Sequence, residues 1–273
     1  MDNLVFAFLL TLFAGLSTGI GSAIAFFAKK TNTKFLSISL GFSAGVMIYV
    51  SMIEIFAKAK DSLVSELGLK GGSWLTVASF FAGMGIIAII DKLIPSHENP
   101  HEAYKVEEIG ATVEEIKSKE KDKSRLLRTG IFTALAIGIH NFPEGIATFI
   151  SALESPNIAI PIAVAIALHN IPEGIAVSVP VYYATGDKKK AFLYSLLSGI
   201  SEPIGAVVGY LVLYPFLNDL MFGVIFASVA GIMVFISLDE LLPSAREYGE
   251  AHLSIYGLIA GMMMMAVSLL LFI

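Results

Sequence analysis

Eight stretches of this chain are each long and apolar enough to cross a bilayer as a helix, and nothing else in the sequence limits the fold so severely. They cover residues 4–28, 35–57, 73–94, 129–152, 158–184, 191–213, 220–241 and 253–272. A transmembrane helix needs about 20 predominantly apolar residues. Inside the hydrocarbon no water is present to satisfy backbone N–H and C=O groups, so only helices or closed barrels span it. The period-2 alternation of barrel strands is absent. Composition supports the helical choice: 56% of residues are hydrophobic and 15% are charged, against about 25% charged in an average soluble domain. A soluble enzyme and a disordered regulator are thereby excluded. The net charge of −5 lacks the basic footprint that nucleic acid requires. There is no cysteine, so disulfides and thiolate metal sites are excluded as well. The fold class is an all-α membrane protein, eight transmembrane helices in a polytopic bundle, forming one domain over residues 1–273. The first stretch does not read as a signal peptide, since no basic residue precedes it and its apolar run is too long.

Orientation follows from the Lys and Arg residues between spans. The first, third, fifth and seventh loops hold 15 of the 18 basic residues, among them Lys29, Lys30, Lys34, Lys188 to Lys190 and Arg246. These loops are expected in the cytoplasm, with both termini outside. Residues 96–128 form the only long polar segment and carry 15 of the 41 charged side chains. They are read as a solvated cytoplasmic loop between helices 3 and 4. The sharper alternative is that His97, Glu98, His101 and Glu102 catch metal ions there.

An internal repeat is visible. Residues 43–54 read SAGVMIYVSMIE and residues 229–240 read VAGIMVFISLDE, with Ser51 matching Ser237 and Glu54 matching Glu240. These segments lie in helices 2 and 7, which run in opposite directions, and inverted repeats are a hallmark of alternating-access transporters. A second match joins helices 4 and 5, so the inverted repeat is centred there, although one simple duplication does not explain both offsets.

The chemistry lies in that second match: HNFPEGIATF from His140 and HNIPEGIAVS from His169. Each places His, Asn, Pro, Glu and Gly in the middle of an apolar helix. An ionisable group there costs at least about 2.5–3.5 kcal/mol, which a bound cation offsets. His140 and Glu144 are four residues apart and share a helix face. Asn141 sits three before Glu144, and His169, Asn170 and Glu173 repeat the arrangement. A short connection makes helices 4 and 5 antiparallel neighbours, so the two faces can converge. Helix 6 adds Glu202, the only ionisable residue in its span. Imidazole with carboxylate suits Zn²⁺, Fe²⁺, Mn²⁺ and similar ions. Pro143 and Pro172 leave the carbonyls of Ile139 and Leu168 without their usual donors and are expected to kink or break their helices. The bland alternative is that these residues only glue helices together. It accounts poorly for two copies of His-Asn-x-Pro-Glu-Gly. Met47 in helix 2 offers a thioether. Asp91, Asp239 and Glu240 lie at helix ends, as interfacial charge or as an inner-face path.

In these motifs the chain resembles the ZIP family of divalent-metal transporters, most of all its bacterial ZupT-like branch. The resemblance covers essentially the whole chain: eight spans, a variable charged loop after helix 3, and the paired HNFPEGIATF and HNIPEGIAVS segments. It implies a binuclear metal centre at mid-membrane, with His140, Asn141, Glu144, Asn170, Glu173 and Glu202 at the matching positions. His169 belongs to the motif, and Met47 matches a Met that completes one site in a relative. Asp91, Asp239 and Glu240 align with inner-face exit positions, joined by His97 in the loop. Two departures stand out: neutral Asn170 replaces an Asp found in some members, and the loop has no His-rich tract. The resemblance also implies an elevator-like helical bundle and a homodimer.

The expectation is therefore a multi-pass protein of the cell (inner) membrane that imports zinc, with iron, manganese, cobalt and cadmium. The first site would use His140, Glu144 and Glu173 with Met47, and the second Asn141, Asn170 and Glu202, bridged by Glu144 and Glu173. Its partners would be divalent metal ions, carried as ligands, and the surrounding lipid; no prosthetic group and no nucleic acid are expected. Protons should compete with metal for the buried carboxylates. An intramembrane metal hydrolase is disfavoured because no HExxH and no separate base are present. A passive channel remains as the other rival.

Overall fold

The computed structural model describes residues 3–27, 33–93, 114–154, 156–213, 218–248 and 251–271, and these are helical almost throughout. The helices are α1 (Asn3–Phe27), α2 (Thr33–Tyr49), α3 (Phe56–Leu93), α4 (Glu114–Glu154), α5 (Pro156–Thr185), α6 (Lys188–Val208), α7 (Asp219–Ile236), α8 (Leu242–Tyr248) and α9 (Ala251–Leu270). No strand occurs among the described residues. Six helical stretches there are long and apolar enough to cross a membrane. Their outer faces carry exposed Phe13, Ile20, Phe81, Ile89, Leu193 and Leu211, a pattern that suits contact with lipid and not with water.

One of the six, Ser37–Ile90, runs for 54 residues, about 80 Å at 1.5 Å per residue and far beyond a hydrocarbon core of about 30 Å. Gly68 interrupts it, with φ 72° and ψ 168°, a backbone conformation that a side chain would obstruct. Beyond this bend a Cβ on Gly72 would lie 2.5 Å from backbone atoms of Leu63 and Val64, so the chain folds back closely on itself. Elsewhere capping sets the boundaries. Asp187 accepts hydrogen bonds from the backbone N–H groups of Lys189 and Lys190 at 2.8 and 3.2 Å after a left-handed Gly186. Asn218 accepts from Met221 at 2.8 Å at the start of α7. Both satisfy donors that a helix start leaves open.

The prolines do not break their helices as expected. α4 is continuous through Pro143, and α5 through Pro172. Packing against neighbouring helices keeps both continuous through the missing hydrogen bond. Departures from α geometry occur instead as π-helical turns at Val50–Ile55, Gly209–Leu213 and Ser237–Leu241. The first and third fall in the two halves of the SAGVMIYVSMIE/VAGIMVFISLDE match. α4 also begins at Glu114, so its first residues belong to the charged segment 96–128; residues 96–113 lie outside the described residues.

Two groups of helices pack together. α1, α4, α5 and α6 form one, with α1 on α5 and α6, and α4 on α5 and α6. In the other, α3 packs on α7 and α2 on α9, while α2 also reaches α5 and α8. A buried apolar core containing Leu40, Met47, Ile150, Ile166, Phe226 and Met233 runs through both groups.

Candidate metal centre

The two motifs meet inside the first group of helices. α4 brings His140, Asn141 and Glu144, α5 brings His169, Asn170 and Glu173, and α6 brings Glu202. All seven side chains are at most 1% exposed. The i, i+4 spacing aims each His and Glu from one helix toward the other, and their pairing is crossed. His140 Nε2 lies 3.3 Å from Glu173 Oε2, and His169 Nε2 lies 3.3 Å from Glu144 Oε2. Each motif thus supplies the partner for the other, which the within-helix spacing alone does not reveal.

The asparagines are oriented by backbone groups. Asn141 Nδ2 donates to the carbonyl oxygen of Ser198 at 3.3 Å. Asn170 Nδ2 donates to the carbonyl oxygen of Ala14 at 2.9 Å and also to the carboxylate of Glu202. With the amide nitrogens so engaged, the Oδ1 atoms of both asparagines have no hydrogen-bond partner. The same holds for Glu144 Oε1, Glu173 Oε1, Glu202 Oε2 and both Nδ1 atoms of His140 and His169. Buried acceptors of this kind are costly unless something satisfies them. Three carboxylates in a dry interior demand positive charge or protons. The donor set is rich in oxygen, with two imidazoles and no sulfur anion, and suits first-row divalent ions in general.

As they stand, Glu173 and Glu144 each face an imidazole, and Glu202 faces the Asn170 amide. Among the described residues no three His, Asp or Glu side chains stand together in coordinating positions. Met47 is fully buried in the core on α2, the helix that packs against α5. Glu240 is half-buried in the π-helical turn after α7. Asp239 is exposed. Asp91 falls in α3, but its side chain, like His97 and the rest of the SHENPHE segment, lies outside the described residues.

One contributor goes unnoticed in the sequence. The hydroxyl of Ser43 on α2 lies between the carbonyl oxygen of His169, 3.3 Å away, and the carboxylate of Glu173. It ties the second group of helices to the motif. The available signal was its spacing: Ser43, Met47 and Ser51 follow one another at intervals of four and are all fully buried.

Comparison with known proteins places this geometry in context. Residues 92–269, more than half of the chain, match the family model described as ZIP Zinc transporter. "Zinc transporter ZupT" of Clostridium perfringens is 68% identical over 279 residues, covering 100% of this chain and 98% of the relative. The proteins of that name from Oceanobacillus iheyensis and Streptococcus mutans are 66% and 64% identical, each covering 99% or more of both chains.

Proposed function

Because the chain belongs to the ZIP zinc transporter family, a family of transporters and not of enzymes, we propose that this multi-pass membrane protein is a secondary transporter importing divalent transition-metal ions through a binuclear site at mid-membrane. The observation that carries the proposal is the crossed pair His140–Glu173 and His169–Glu144, with unpartnered carboxylate and amide oxygens turned inward beside it. Each imidazole holds one oxygen of a carboxylate and leaves the other available. An incoming cation exchanges these hydrogen bonds for coordination, so both carboxylates can bridge two ions. His140, Glu144 and Glu173 hold the first ion with Met47, while Asn141, Asn170 and Glu202 complete the shell of the second.

Eight spans fit the same reading. Gly68 divides the 54-residue stretch into two, and the apolar part of α4, residues 129–152, supplies the eighth. The packing supports an inverted repeat in which α1 corresponds to α6, α2 to α7, α3 to α9 and α4 to α5. Under that exchange the α1–α5 contact becomes α6–α4, and α2–α9 becomes α7–α3; all four packings are present. The basic residues put both termini outside and the 96–128 segment in the cytoplasm, in a cell (inner) membrane protein built as a homodimer. His97, Asp91, Asp239 and Glu240 then lie along the inner-face exit.

Uptake of Zn²⁺ into proteoliposomes, in competition with Fe²⁺, Mn²⁺, Co²⁺ and Cd²⁺, tests this function. Saturable uptake with mutual competition is expected, because an oxygen-rich set discriminates weakly by softness. Uptake that does not saturate points to a channel and refutes the proposal.

A further inference from the structure

The inverted relation between α1 and α6 can be followed atom by atom. Asn170 Nδ2 donates to the carbonyl of Ala14, and Asn141 Nδ2 to that of Ser198. The Ser17 hydroxyl donates to Ala14 at 2.5 Å, and the Ser201 hydroxyl to Ser198 at 2.6 Å. A Cβ on Gly15 would meet the carbonyl oxygen of Gly199 at 2.4 Å, and a Cβ on Gly199 would meet that of Gly15 at 2.2 Å. A Cβ on Gly174 would strike the carbonyl oxygen of Thr18 at 1.9 Å, and one on Gly145 would strike that of Glu202 at 2.0 Å. Every contact keeps one register, in which Ala14, Gly15, Ser17 and Thr18 answer to Ser198, Gly199, Ser201 and Glu202. Thr18 therefore occupies on α1 the place that Glu202 occupies on α6.

The side chains obey the same relation. The Glu202 Cβ lies 3.3 Å from the Cβ position of Gly15, and the Thr18 Cβ and Oγ1 lie 2.8 and 2.6 Å from that of Gly199. Thr18 is fully buried, and its hydroxyl has no hydrogen-bond partner. An unsatisfied buried hydroxyl costs about 1–3 kcal/mol, so a packing role alone would suit Val better than Thr at this position.

We infer that Thr18 is a positioning residue of the oxygen-lined second site, with a hydroxyl that holds a water ligand of the ion from the place on α1 that answers to Glu202. This rests on the binuclear reading above and deepens it. A threonine hydroxyl ends two bonds short of a glutamate carboxylate, which sets the reach to a bound water and not to the ion itself. That water joins Asn141, Asn170, Glu144, Glu173 and Glu202 to give six oxygen donors. Six oxygens in an octahedron suit Mn²⁺ and other hard ions, whereas Zn²⁺ is content with four ligands. Thr18 is thus a determinant of which metal the second site accepts. The same relation suggests an exchange, since a glycine stands beside each position, Gly199 against Thr18 and Gly15 against Glu202.

The test counts ions bound to the purified full chain in nanodiscs, by titration calorimetry with Cd²⁺ and separately with Mn²⁺ and Zn²⁺. The wild type should bind two Cd²⁺, Glu202→Thr one, and the exchanged variant Thr18→Glu/Glu202→Thr two again. One ion on the wild type defeats the binuclear reading itself. Two on the wild type but one on a folded exchanged variant overturns the inference about Thr18 alone. If the exchanged variant does not fold, Thr18→Val, close to isosteric, decides. Removing such an outer partner should weaken Mn²⁺ binding roughly 10-fold or more, weaken Zn²⁺ binding by a smaller factor, and be rescued by Thr18→Ser. Equal Mn²⁺ affinity in Thr18→Val and wild type overturns the inference; loss without rescue by Ser marks a packing effect and overturns it too.

Discussion

Replacing Gly145 with alanine should nearly silence transport while leaving the protein folded. A Cβ there would lie 2.0 Å from the carbonyl oxygen of Glu202 and 2.6 Å from its carbonyl carbon and Cα, against 3.4–4 Å for ordinary contact. The obstacle is backbone, so no rotamer relieves it, and α4 and α6 must part by more than an ångström. Overpacking of this kind costs about 1–3 kcal/mol, and the better helix propensity of alanine returns up to about 1 kcal/mol. The net loss of about 0–3 kcal/mol is small beside a typical stability of about 5–15 kcal/mol. The site fares worse, because the parting falls at Glu202, beside the turn that carries Glu144. A displacement of about 1 Å at a reactive constellation can cost about 100-fold in rate. The assay is Zn²⁺ uptake into proteoliposomes at equal reconstituted protein, with thermal unfolding followed in parallel. Gly85→Ala is the control, since its Cβ would meet nothing within 4 Å, and it should transport normally. Gly145→Ala uptake within threefold of wild type, in a folded protein, would refute the claim that this helix contact sets the spacing of Glu144 and Glu202.

Glu173→Ala should abolish uptake, because it removes a carboxylate shared by two ions and strips His140 of its partner; wild-type uptake in the folded variant would contradict the bridging role. Asn170→Asp loses the amide donor to Ala14 and Glu202 and sets a fourth carboxylate beside Glu202. The metal-free variant should melt below wild type and gain more in melting temperature when Zn²⁺ is added, by linkage between binding and folding; an equal gain in both proteins would count against a metal-facing Asn170. Zn²⁺ affinity should fall on acidification, since bound carboxylates must be deprotonated, with up to about 10-fold loss per pH unit for each proton displaced. Calorimetry in buffers of different ionisation enthalpy should show proton release on binding, and affinity that does not vary with pH would exclude such competition.

Local periodicity determined a large share of this protein. Apolar runs of bilayer length dictate helices because the hydrocarbon leaves the backbone no other partner. The i, i+4 spacing of His140 with Glu144, and of His169 with Glu173, puts each pair on one face through helix geometry alone. Those features, with Glu202 isolated in its span, made the candidate site legible before any tertiary contact was known. What periodicity could not supply is the rotation and register of one helix against another. That relation pairs His140 with Glu173 and not with Glu144, and it brings Ser43 from a different group of helices to the same carboxylate. It also fixes the asparagine nitrogens on the backbone carbonyls of Ala14 and Ser198, partners that leave no side-chain signature in a sequence. The prolines overstated a break for the same reason: a missing hydrogen bond weakens a helix locally, but packing on its neighbours decides whether it continues, as α4 and α5 do. Thr18 is the sharpest instance, an ordinary residue of an apolar helix until the fold gives it the place on α1 that Glu202 holds on α6.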